Sequence, residues 1–244
     1  MVRAFATLLF ISTVVMGAEP ACPRTVPAEV KLFLATRSGK GQQGIAEDSV
    51  DAWIFCDSAP AGAGIAVSIM STNPDLLSAN ASGAKVAWAE SDSASLAPQL
   101  RATASTSRPG KESRVQKPWI ELATQTSSAS VPVTITFTNQ PFAHASRSAL
   151  LFTGSGGGLA DQKVALSFPN ARSPLPYTTA VANAKWLSVQ PASGAGPGQL
   201  TVHVDMAGLE AGSYWGTIQV KTPGAINGTL EIPVRLVVGA AKQP

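Results

Sequence analysis

The sequence predicts an all-β protein: two antiparallel β-sandwiches in tandem behind a cleavable leader. Three observations predict this. Short runs with an apolar period of two recur along the chain, divided by Gly, Pro, Ser and Asn turn signals roughly 8–12 residues apart. Long segments with helical periodicity are missing. Charged residues make up only 14% of the chain, while 21 Gly and 18 Pro punctuate it.

The leader comes first. Arg3 precedes an apolar run from Ala4 to Met16, which exits at the small residues Gly17 and Ala18. As a helix such a run covers roughly 20 Å, short of a bilayer core of about 30 Å. A basic start, a short apolar middle and a small exit read as a secretory signal peptide over residues 1–17. The stretch after it, EPACPRTVP, holds helix-breaking prolines and no stop-transfer pattern. Glu19, Pro20 and Ala21 before Cys22 do not make a lipobox. The mature chain is therefore expected outside the cytoplasm, secreted or periplasmic, with no membrane insertion.

Loss of the leader removes only Arg3 among the charged residues, leaving 17 basic against 15 acidic. Near-neutral charge and the lack of a basic cluster argue against a nucleic-acid partner. Two cysteines, Cys22 and Cys56, are present. In an oxidising compartment an even pair reads as a disulfide. A metal site is the rival reading, but the pair has no nearby His to complete a tetrahedral shell.

The roughly 225 residues that remain fit two domains of ordinary size. The expected division is 18–141, 142–240 and a tail over 241–244. In the second half, Leu200, Val202 and Val204 share one face of a strand. Tyr214, Ile218 and Val220 share another, with Trp215, Thr217 and Gln219 opposite. Ile232, Val234, Leu236 and Val238 point inward. Pro233 cannot donate to a ladder, so that strand is an edge there or its nitrogen faces outward. Lys163–Phe168 and Trp186–Val189 supply further strands. In the first half, Ile65, Val67 and Ile69 alternate with Ala66, Ser68 and Met70, and Val131, Val133, Ile135 and Phe137 alternate with Pro132, Thr134 and Thr136. Lys85–Ala89 and Gln99–Ala104 lie between them. Thr138–Pro141 reads as the join.

The string from Trp186 to Val238 resembles the BACON-type immunoglobulin-like domain of exported bacterial proteins. The matching features are Trp186-Leu187-Ser188-Val189, Pro191, Ser193-Gly194, Gly208-Leu209, Ala211-Gly212, Tyr214 and Gly216-Thr217-Ile218. The likeness extends upstream to about residue 145. It implies an immunoglobulin-like sandwich, with Gly212 and Gly216 in tight turns, Trp186 as a packing residue and the Tyr214 hydroxyl tied to backbone. The family name implies carbohydrate binding, but no agreed ligand residues carry over. The first half, through APAGAGIAVSIMSTNPDLLSA and SVPVTITF, resembles bacterial immunoglobulin-like repeats. The long, charged stretch Arg108–Ala129 departs from that pattern and leaves its topology open.

The residues offer no catalytic constellation, and no enzyme, cofactor or metal is expected. His144 in the join and His203 on a solvent face read as exposed side chains. Gly154–Gly158 lacks the Lys and helix of a phosphate loop and reads as a turn. Glu47, Asp48 and Asp51, like Glu90 and Asp92, read as solvated loops without a calcium template. Asn80 and Asn227 stand in Asn-x-Ser/Thr sequons. Among the aromatics, Trp53 and Trp88 are expected buried and Trp119 has no assigned place. Trp215 stands out, because its parity turns it away from the core. Such a ring either stacks on a sugar, making Trp215 the candidate ligand residue, or packs against the neighbouring domain. The expectation is an interaction or adhesion module for a glycan or a cell-surface protein, with a structural spacer as the alternative and a hydrolase as a remote one.

Overall fold

A computed structural model describes residues 22–36, 46–56, 65–82, 86–87, 99–107, 110, 112–155 and 158–239. The expected leader and tail, Trp88, Glu90 and Asp92 lie outside the described residues. No helix occurs among the described residues, and the strands close into two immunoglobulin-like sandwiches.

The first sandwich begins with β1 (Arg24–Val26), β2 (Val30–Ala35), β3 (Ala46–Phe55), β4 (Ile65–Ala66), β5 (Ser68–Ser71) and β6 (Leu77–Ser82). It continues with β7 (Val86–Ala87), β8 (Gln99–Thr106), β9 (Arg114–Gln116), β10 (Trp119–Ala123) and β11 (Ser128–Thr138). One sheet has the order β1-β3-β8-β6 and the other β2-β11-β10-β5, with β9 also on β11 and β4 paired to β7. The second sandwich holds β12 (His144–Ala145), β13 (Leu150–Gly154), β14 (Gln162–Ser167), β15 (Leu175–Ala182) and β16 (Leu187–Gln190). It closes with β17 (Ser193–Gly196), β18 (Gly198–Val204), β19 (Gly212–Lys221) and β20 (Thr229–Val238). Its sheets run β12-β14-β18-β16 and β13-β20-β19-β15-β17.

The two topologies coincide. In each sandwich the opening stretch splits between the sheets, and its second piece runs parallel to the last strand: β2 on β11 and β13 on β20. A proline marks the same register in both. Pro132 and Pro233 each sit one residue before the parallel pairing begins, at Val133↔Val30 and Leu150↔Val234. A residue without an N–H fits where a strand has a neighbour on one side only. The described residues of the stretch 108–129 follow the same plan. β9 and β10 hold one continuous register against β11, Gln116↔Ile135 and Trp119↔Pro132, interrupted at Lys117–Pro118.

Each core is built from the inward set of the alternation. Val30, Leu32, Leu34, Ile120, Leu122, Val131, Val133, Ile135 and Phe137 fill the first. Leu200, Val202, Val204, Ile218, Val220, Ile232, Val234 and Leu236 fill the second. Strand β3 carries both the Glu47–Asp51 acids and the run around Trp53, so those acids stand on a strand rather than in a loop. Gly216 is likewise not in a turn. It lies within β19, where a Cβ would come within 2.6 Å of the Ala184 Cβ and 3.0 Å of Leu187, so only hydrogen fits there. The indole of Trp186 packs beside it, part of the second core. The Tyr214 hydroxyl donates to the Glu210 carbonyl at 2.9 Å.

Cys22 and Cys56 form a disulfide across a sequence separation of 34. It pins the chain just before β1 to the end of β3, and Ser127 Oγ also donates to the Cys22 carbonyl at 2.5 Å. Closing a loop of that length stabilises by about 3–4 kcal/mol in the chain-entropy model. The paired substitution Cys22→Ser with Cys56→Ser should lower unfolding free energy by about that much. Urea denaturation followed by far-ultraviolet circular dichroism measures it, and in the variant added reductant should have no further effect.

Candidate functional site at the joint between the sandwiches

Alternation turns Trp53 and Phe55 of β3 away from the first core, while Ala52 and Ile54 face into it. On β19 and β20 it turns Trp215 and Arg235 away from the second core, while Ile218, Val234 and Leu236 face into it. A strand apolar on both faces must be covered on both. Here each outer face covers the other. Trp53, Phe55 and Ala149 are buried together, with Val26, Leu151 and Trp215 packed against them.

The rings meet edge to face. Trp215 lies 5.1 Å from Trp53 at 84° and 5.7 Å from Phe55 at 71°. Such pairs add about 0.5–1.5 kcal/mol beyond their buried area. Arg235, which parity places toward solvent, is 0% exposed. Its guanidinium stands 5.3 Å over the Phe55 ring and 5.7 Å over that of Trp215, and its Nε donates to Ser213 Oγ at 3.0 Å. Arg24 approaches Phe55 at 5.1 Å. A planar, weakly hydrated guanidinium tolerates burial against aromatic faces better than an ammonium does. Nε1 of Trp53 and Nε1 of Trp215 are buried without a hydrogen-bond partner, so the two indoles contribute here as apolar area.

A polar seam borders this cluster. Asp48 is buried near the start of β3, where its Oδ2 accepts the Phe33 N–H at 2.8 Å. His144 Nε2 of β12 lies 3.1 Å from Asp48 Oδ1, and its Nδ1 is 3.4 Å from Ser167 Oγ. Contact with the Asp48 carboxylate raises the His144 pKa above the ordinary histidine value; burial opposes the rise and the carboxylate's charge adds to it. The Asp51 N–H donates to Ser148 Oγ at 2.7 Å across the same seam. Arg101 grips the Asp51 carboxylate with two bonds, of 2.8 and 2.9 Å. Clefts of about 280 and 510 Å³ flank the His144–Asp48 pair.

The linker is tied down as well. Asn227 clips Ala143 with two 2.8 Å bonds, its Oδ1 accepting the N–H and its Nδ2 donating to the carbonyl. Asn170 Nδ2 donates to the Thr138 and Gln140 carbonyls, and Phe33 stacks on Phe142 at 5.7 Å. The sequon asparagine Asn227 is thus a linker clamp, whereas Asn80 is exposed on β6.

Trp215, for which parity leaves a sugar platform and domain packing open, therefore stands in the joint. His144 is half-buried and ion-paired across the seam rather than free on the surface. His203 is exposed and 2.8 Å from Asp161. Trp119 is 48% exposed on the outer face of the first sandwich. No group of three or more His, Cys, Asp or Glu among the described residues converges as a metal site. Arg235 and Asp48 carry weight that parity alone does not assign. The available signal was a lapse of alternation, in Ala52–Cys56 and again in Leu236–Val238, where consecutive residues are apolar.

Residues 145–233, in the C-terminal half, match the family model of the viral BACON domain, consistent with a BACON-type domain there. No curated protein matches the chain. Among solved structures, a Bacteroides ovatus GH5 xyloglucanase is similar at 15% identity and a TM-score of 0.32, over 39% of this chain and 19% of that one. The D0–D1 domains of intimin are similar at 8% identity and a TM-score of 0.31, over 85% of this chain and 92% of that one. A Porphyromonas gingivalis protein of unknown function is similar at 12% identity and a TM-score of 0.32, over 88% and 99%. The fold assignment rests on the strands themselves.

The joint has a sharp consequence. Trp215→Ala should remove the ring that bridges Trp53 and Phe55 and cost about 3 kcal/mol, in the range for a buried Trp truncated to Ala. Trp215→Phe keeps a ring and discards an unpartnered N–H, so it should cost under about 1.5 kcal/mol. Differential scanning calorimetry should show one transition for the wild type and Trp215→Phe, and two for Trp215→Ala.

Proposed function

We propose that this protein is an exported, non-catalytic interaction module that presents the outer face of its first sandwich to a glycan. The observation that carries this reading is Trp119, whose large ring stays 48% exposed while Trp53 and Trp215 are engaged in the joint. Cross-strand pairing sets Trp119 directly opposite Pro132 on β11, and the Thr72 N–H just beyond β5 donates to the Trp119 carbonyl. Met70, 60% exposed, and Glu121 form the next pair on that face. Val115, 55% exposed, lies further along it, opposite Thr136. A flat indole offers a stacking surface to the C–H face of a pyranose. The hydroxyl and carboxylate groups of Thr72, Ser130 and Glu121 beside it can meet sugar hydroxyls. The disulfide supports an oxidising compartment. Fold alone does not name a ligand, so the proposal stands on this face.

The tied linker favours a second reading, a rigid spacer that sets a neighbouring module at a fixed distance. A glycan array with the wild type, Trp119→Ala and Trp215→Ala separates the two. The module reading expects a wild-type signal that Trp119→Ala weakens at least about tenfold, equivalent to 1.4 kcal/mol. Absence of any wild-type signal favours the spacer. Loss of binding in Trp215→Ala alone would move the platform to Trp215.

A further inference from the structure

We propose that the His144–Asp48 contact is a latch across the joint, which fastens the second sandwich to the first when His144 is protonated and slackens when it is neutral. The reading does not depend on the ligand. His144 belongs to β12 of the second sandwich and Asp48 to β3 of the first, and 3.1 Å separates Nε2 from Oδ1. Asp48 is held rigidly, because the Phe33 N–H fixes its other oxygen at 2.8 Å. The carboxylate is buried, so the cation across the seam is its counter-charge in a poorly screened setting.

The other charged groups around the latch are largely spoken for. On one side Glu47, Asp51 and Arg101 line the cleft, with Asp51 and Arg101 paired to each other. On the other side Glu29, Lys31 and Glu231 line it, with Glu29 and Lys31 paired at 3.4 Å. Glu47 and Glu231 remain, and both favour a cation at His144. Ser167 Oγ faces the remaining ring nitrogen and can serve either tautomer.

The direction of the pH dependence follows from linkage. His144 titrates higher in the closed joint than when free, so its contribution is complete below the free histidine value of about 6.5 and is lost as pH rises through the raised value. The joint is therefore tightest at mildly acid pH.

The chain supplies its own controls. It has two histidines, and His203 lies on β18 beside Asp161, which directly precedes β14. The Asp51 amide, donated to Ser148, reports on opening directly. In the full chain, nuclear magnetic resonance would follow both imidazoles and the hydrogen-exchange protection of the Asp51 amide from pH 5.5 to 9. The latch predicts that His144 titrates above about 6.5 and that Asp51 protection falls across the same titration. The fall should be tenfold for every pH unit by which the His144 midpoint exceeds that of a free histidine. Asp48→Asn can still accept the Phe33 N–H, yet it should return the His144 midpoint to the free value and flatten the Asp51 profile. His144→Gln should flatten it too. A His144 midpoint at or below 6.5, or an Asp51 profile unchanged in both variants, would overturn the proposal.

Discussion

Mutual burial of two outer sheet faces is the constraint on which the arrangement of this protein depends. A sandwich normally hides one face of each sheet and leaves the other to water. Here Trp53 and Phe55 on β3, and Trp215 and Arg235 on β19 and β20, would expose aromatic area and a cation beside it if the sandwiches stood apart. Packed together they give a third, small hydrophobic cluster between the two main cores. Its driving force is apolar area removed from water, at about 25 cal/mol per Å². The aromatic faces attract the Arg235 cation by about 2 kcal/mol where it is desolvated, which offsets part of the cost of taking the charge out of water. The polar seam and the linker clamps lie around this cluster and fix its geometry. Asn227, Asn170 and Asp48 each satisfy backbone groups that the close approach of the two units would otherwise leave stranded.

The repetition of one topology explains why the two ends of the molecule differ. With Pro132 and Pro233 aligned by register, Lys117 in the first sandwich takes the place of Trp215 in the second, and Thr134 takes the place of Arg235. The same structural face therefore carries a docking pair in one unit and a hydrophilic pair in the other. The first sandwich keeps that face open, with Trp119 displaced one pair along the ladder. A single scaffold thus supplies both an internal joint and an outward platform through substitutions on solvent-side positions, leaving the core sets alone.

Much of this was legible from sequence. Period-two runs located the strands around Val67, Leu100, Ile135, Leu200, Ile218 and Val234, because each sends alternate apolar residues into one core. Tyr214 and the disulfide were readable for local reasons, a backbone-tied hydroxyl in a resembling motif and an isolated cysteine pair. The joint was not readable by the same rule. Parity sorts residues into inward and outward with respect to one sandwich, and it has no term for a second sandwich pressed on the outside. Arg235 is the clearest case: it is outward with respect to its own core yet completely buried. Asp48 misleads in the opposite way, since an acid between Glu47 and Asp51 suggests a wet loop, while its position on β3 gives it a backbone donor and a histidine. Gly216 reads as a turn residue because glycine often is one, whereas the close approach of Ala184 and Leu187 demands it within a strand.

Backbone ¹⁵N relaxation of the mature chain tests the central claim most directly, since rotational diffusion reports whether two bodies tumble as one. If the outer faces are mutually buried, amides of both sandwiches should return a single correlation time, that of a particle of the whole mature mass. Two shorter and unequal correlation times, one for the strands before Thr138 and one for those after His144, would contradict the account.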